Sequence, residues 1–199
     1  PEPRQTGSVE GAYRRIYPNA SDAEIQAWLG HDEDEPLADD LSSTTQRLRD
    51  LHQRLQDLRG DLQRWVQADP ARAAQRQPAV RPLVNAWRRL STLPFAATGR
   101  MYSLELSGLG LNGEDLASLA LPDDFAHIEH LSLSQNSELS HLPATLAQRF
   151  PNLKRLILSD CRFDRVPRLP QPWQLHWLDL DSNRITWDAN AQRTLDRYT

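Results

Sequence analysis

Ile128-Glu129-His130-Leu131-Ser132-Leu133-Ser134-Gln135-Asn136 decides the reading of this chain. Its pattern is LxxLxLxxN. The same spacing returns as Leu153-Leu156-Leu158-Cys161 and as Leu175-Leu178-Leu180-Asn183. A weaker copy precedes them, Met101-Leu104-Leu106, with Leu109 where Asn or Cys would stand. Between middle leucines the steps are 27 residues (104 to 131), 25 (131 to 156) and 22 (156 to 178).

Repeats of that period, with Asn or Cys after the last leucine, are the signature of leucine-rich repeats. The two leucines of each LxL lie two apart and share one side of a short strand, while their neighbours face the other. One unit cannot bury its own leucines, so stacked units must build a common core beneath a parallel sheet. Asn136, Cys161 and Asn183 fall where the chain turns out of the strand, a place for a buried amide or thiol. Leu139, Leu142 and Leu146 suggest a helical return, whereas Pro167, Pro170 and Pro172 force an extended one. The expected class is therefore α/β: an N-terminal helical cap over residues 1–95, then a leucine-rich-repeat solenoid of four repeats over 96–199, with a short-stranded parallel sheet.

Upstream, Ser21-Asp22-Ala23-Glu24 matches a capping box, opening a helix near 21–29 that Gly30 would end. His31 to Asp40 carries six carboxylates. It lacks the alternating acids and central glycine of a calcium loop, so a solvated linker and acidic helix start is preferred. Leu41, Thr44, Leu48, Leu51, Leu55, Leu58, Leu62 and Trp65 then alternate three and four apart, predicting a helix over 39–67. Val80, Leu83, Val84, Trp87 and Leu90 predict another over 79–91. Two amphipathic helices so close favour an intramolecular hairpin, and hence a monomer, over a coiled-coil dimer. Ending at Leu90-Ser91-Thr92-Leu93-Pro94-Phe95, the hairpin is placed to cover the first repeat, whose leucines would otherwise face water.

The chain has 199 residues, 23 Lys and Arg against 27 Asp and Glu, and a net charge of -4. Basic and acidic residues interleave along much of it, which gives no reason to expect nucleic acid. No apolar run approaches the length of a bilayer span, and no signal peptide is recognisable. A single cysteine excludes an internal disulfide. The opening Pro1-Glu2-Pro3-Arg4, and a last repeat with no following LxxLxL, read as a piece of a longer protein.

Leu142-Pro143, Leu169-Pro170, Tyr17-Pro18-Asn19-Ala20-Ser21-Asp22-Ala23-Glu24 and Trp87-Arg88-Arg89 carry a further likeness. In these the chain resembles bacterial leucine-rich-repeat effectors of the novel ubiquitin ligase (NEL) type. The resemblance implies repeats that select a substrate, or restrain a separate catalytic domain. It also implies a virulence protein made in the bacterial cytoplasm and secreted into host cytoplasm. The family's nucleophile lies in a Cys-x-Asp motif, and Cys161-Arg162-Phe163-Asp164 is not that motif. Any transferase activity would thus belong to a cysteine outside this chain. The alternative is a structural or regulatory scaffold segment of a large toxin-like protein without ligase activity.

Chemistry within the chain is sparse. Cys161 with His127, His130 or His141 could form a nucleophile and base, but its place in the repeat argues for burial, which raises a thiol's pKa. His127-Ile128-Glu129-His130 hints at metal ligation, yet strand alternation does not gather three ligands. No catalytic residue, metal site or cofactor is expected. Alternation instead exposes Ser103, Glu105 and Ser107, then His130, Ser132 and Ser134, then Arg155, Ile157 and Ser159, then Trp177, Asp179 and Asp181. His130, Arg155, Ile157, Trp177, Asp179 and Glu105 are the expected partner-binding residues, since aromatic and Arg side chains dominate binding hot spots. The partner would be a protein on this face, or another domain of the same chain.

Overall fold

The computed structural model describes Arg14, residues 21–23, 37–88, 102–169 and 173–198. The rest of the helix expected near 21–29, most of the acidic tract, the 95/96 boundary, Leu90, Met101, Pro170 and Pro172 lie outside them. The described elements, in order, are helices α1 (Leu37–Ala68) and α2 (Ala73–Trp87), strand β1 (Tyr102–Glu105), α3 (Gly113–Ser118), β2 (Ile128–Ser132), α4 (Thr145–Arg149), β3 (Arg155–Ile157), β4 (Trp177–Asp179) and α5 (Ala189–Asp196). Together they make an α/β architecture with one parallel four-stranded sheet in the order β1-β2-β3-β4.

Leu51, Leu55, Leu58, Leu62 and Trp65 form the buried stripe of α1, as the three-and-four spacing requires. Asp69 turns the chain, its carboxylate accepting from the Ala71 amide at 3.2 Å. Helix α2 then packs back on α1, burying Ala79, Leu83, Val84 and Trp87. It begins six residues before the expected start and runs through Pro78 and Pro82. Each proline removes one helical N–H. Pro78 stands on the exposed side of the helix, where water can take up the carbonyl so released.

In the sheet, Leu104, Leu131, Leu156 and Leu178 stand in one register row. The unequal 27-, 25- and 22-residue steps are absorbed in the connections. The first holds α3, capped by a reciprocal pair between Asn112 and Asp115. The second holds α4 with Leu139, Leu142 and Leu146 buried, and the third is irregular around Phe163, Val166 and Leu169. Past the strands the ladder continues, with Gly108 N–H donating to Ser134 O, Gln135 to Ser159 and Asp160 to Asp181, each at 2.9 Å. Gly108, Gln135, Asp160 and Ser182 all have positive φ, between 55° and 68°. This left-handed residue turns the next side chain inward, and only in the first unit is it the glycine that adopts it without strain.

What turns inward is the asparagine. Asn136 is fully buried. Its amide donates to Leu133 O (2.7 Å) and Leu106 O (3.0 Å), and its carbonyl accepts from the Leu109 and Leu111 amides (3.2 and 3.0 Å). Asn183 repeats the pattern, donating to Leu158 O and Leu180 O and accepting from Phe163 N–H.

Two expectations need correction. Leu178 is half-buried rather than buried, because β4 is the sheet's edge and nothing among the described residues covers its outer side. Ser132 is buried rather than exposed, its hydroxyl drawn under Ser107 (2.8 Å) and Ser134 (3.3 Å).

The hairpin is joined to α3 and to the segment before β2 by buried polar contacts. Asp115 has no exposed surface and receives Arg72 at 2.6 Å and Arg76 at 2.8 Å. Arg76 also donates to Trp65 O (2.7 Å), and Trp65 Nε1 donates to Asp115 O (2.9 Å). Burial opposes the Asp115 charge, but the two guanidinium groups outweigh it and hold the carboxyl below its usual range. Nearby, Trp87 Nε1 donates to Asp124 (3.1 Å), and the His127 ring bonds Ala86 O at 2.8 Å.

Candidate functional site

Register places the expected contact residues on one face of the sheet. Ser103, His130, Arg155 and Trp177 form one row across the four strands. Glu105, Ser132, Ile157 and Asp179 form the next, two residues further along each strand. Strands stand about 4.8 Å apart, so neighbours within a row are in side-chain reach.

Trp177 is 58% exposed although every strand leucine beside it is buried or half-buried. Arg155 and Glu105 are exposed; His130, Ile157 and Asp179 are half-buried. His130 Nε2 lies 3.5 Å from Glu105, so the two rows meet at the β1–β2 end of the face. Asp179 accepts from the Asp181 amide at 2.9 Å, which fixes its carboxylate near the sheet edge. Two residues beyond Glu105 and Ser132 along the chain, Ser107 and Ser134 are tied together, Ser134 donating to Ser107 at 3.1 Å. The hydroxyls of Ser107, Ser132 and Ser134 are engaged with one another. The free contact area therefore belongs to Trp177, Arg155 and Ile157, with His130, Glu105 and Asp179 around them.

The sulfur chemistry resolves toward structure. Cys161 holds the place of Asn136, its Sγ donating to Leu133 O at 3.2 Å and Ser159 O at 3.5 Å. It is half-buried, less enclosed than expected, and burial pushes its thiol up. The three histidines are engaged elsewhere: His127 with Ala86 O, His130 with Glu105, and His141 3.9 Å from Glu114. His127 and His130 also part company, one buried against Tyr102 and Phe125 and the other on the sheet face. Among the described residues no three His, Cys, Asp or Glu side chains gather to hold a metal. No helix among them is long and apolar enough to cross a membrane.

Sequence reasoning missed two features. Trp187 is 61% exposed, and no periodicity marks it because it lies in a return segment. The Arg72–Arg76–Asp115 cluster was also invisible, since Asp115 lies 43 and 39 residues from its two arginines. The capping-box spacing of Asn112 and Asp115 was the one available signal. Compared with protein-family models, with curated proteins and with solved structures, the chain matches none.

Proposed function

We propose that this chain is a protein-recognition segment: a leucine-rich-repeat solenoid with the α1–α2 hairpin as its N-terminal cap, binding a protein on the exposed sheet face. The observation that carries the reading is Trp177, a large apolar side chain left 58% exposed beside Arg155 on a rigid parallel sheet. Such a pair offers apolar area and a bidentate donor for a carboxylate at one point. The leucine row on the opposite face, and the buried asparagine turns, support the solenoid assignment. Packing of α2 against β1 supports the cap.

The resemblance to NEL-type effectors extends the proposal. In a longer ligase of that type the face would select the protein to be modified, or hold the catalytic domain in check, and the reactive cysteine would lie outside this chain.

The test is a binding titration of a partner captured by pull-down. Trp177→Ala or Arg155→Ala should each weaken binding by about 1–4 kcal/mol, while Ser134→Ala changes little. Melts should show all three variants folded. Undiminished affinity in both of the first two would move the site off this face.

A further inference from the structure

Between α1 and α2, on a surface apart from the sheet-face residues, lies an open groove of about 600 Å³. Arg59 enters it from α1, Arg81 from α2 and Arg88 from just past the end of α2, with the amides of Gln77 and Asn85 among them. Among the described residues no carboxylate lines it. Pro78, Val80 and Val84 supply an apolar floor.

Six of the hairpin's arginines fall into two groups. Arg54 pairs with Asp124, Arg64 with Asp61, Arg72 with Asp115 and Glu138, and Arg76 with Asp115. Arg59 and Arg81 are exposed and make no ion pair among the described residues. They face the groove from opposite helices. Residues 41–90 also contain ten arginines against four aspartates, in a chain whose net charge is -4. Charge of one sign gathered along a concave surface raises the local potential and concentrates counter-charged ligands.

We infer that this groove is a second binding site, one for an acidic protein segment that carries aliphatic side chains between its carboxylates. Forked guanidinium groups match carboxylates bidentately. The proline and valine floor takes the aliphatic side chains, and the amides can bond an extended backbone. Nucleic acid fits less well: the described lining residues include no aromatic ring on which a base could stack. A segment bridging both helices would leave the sheet face free. The site therefore stands independently of the proposed function.

The probe is a fluorescein-labelled peptide of glutamates interspersed with leucines, titrated against the protein by anisotropy. A lysine-for-glutamate version and a single-stranded oligonucleotide of equal charge serve as comparisons. The glutamate peptide should bind, weaken with added salt, and lose affinity about five- to thirtyfold in the Arg59→Gln/Arg81→Gln protein. Trp177→Ala should leave it unchanged, which separates this test from that of the sheet face. Both arginines are exposed, so the double variant should melt with the parent. Affinity indifferent to the double substitution, or oligonucleotide binding tighter than peptide binding, would overturn the inference.

Discussion

At the scale of single residues, the buried asparagine shows how much one side chain can organise. Asn136 satisfies two carbonyls and two amides at the point where two successive turns meet. Asn136→Ala strands those groups in the interior, and each buried unsatisfied group costs about 1–3 kcal/mol. A urea melt should place that variant about 3–5 kcal/mol below the parent. Asn183→Ala should cost less, because its turn sits at the sheet edge and is partly open to water. Equal losses would mean the edge turn is as enclosed as the inner one. His127 gives a prediction in pH. Burial holds its pKa below the ordinary 6.5, with the bond to Ala86 O and the Asp124 charge acting against that shift. The folded state thus favours the neutral ring. Its contribution is present above about pH 6.5 and is lost as pH falls through the lower folded value. Melts from pH 8 to 5 should show a decline that His127→Gln flattens; an identical decline in both proteins would reject the assignment.

At the scale of elements, the decisive contact is between the hairpin and α3. Asp115 lies wholly buried between Arg72 and Arg76. Removing one partner of a buried charge pair leaves the other uncompensated and costs about 3–5 kcal/mol. Asp115→Asn should destabilise by that amount, although the change is nearly isosteric. A melt within about 1 kcal/mol of the parent would show that Glu138 and water suffice for Arg72 and Arg76. Within the strands, Leu156→Ala opens a cavity in the middle of the leucine row and should cost about 2–5 kcal/mol. Leu178→Ala should cost less, since that side chain is only half-buried at the edge.

At the scale of the whole molecule, one apolar core runs from Leu51 in α1 to Tyr198 beyond α5. It is closed at the C-terminal side by Tyr198, whose hydroxyl donates to Pro167 O and whose carbonyl accepts from Leu175 N–H at 2.8 Å. Burial pushes that phenol up to about 12. With the hairpin bonded to α3 and to the segment before β2 through Trp65, Arg76, Trp87 and Ala86, the two parts should unfold together. Hydrogen exchange should therefore report the same opening free energy in α1 and β2, and Asp115→Asn should lower both. Separate transitions for helices and sheet would mean these contacts are too weak to couple them.

The sequence by itself determined the local and periodic features. The LxxLxL spacing placed each strand and its inward leucines, and the three-and-four stripe placed α1, because a regular backbone repeats its faces at a fixed interval. The same alternation put Trp177 and Arg155 on the outer face without any knowledge of their neighbours. Tertiary structure alone decided the rest. Helix α2 starts at Ala73 and runs through two prolines, against the local preference, where Arg76 can meet Asp115 and Trp65. Ser132 is drawn inward by Ser107, a residue one strand away. Leu178 owes its half-exposure to being at an edge, and the Arg59–Arg81 groove exists only because two helices lie side by side. Period is written in consecutive residues, but which groups from distant segments share a dry space depends on how the segments pack.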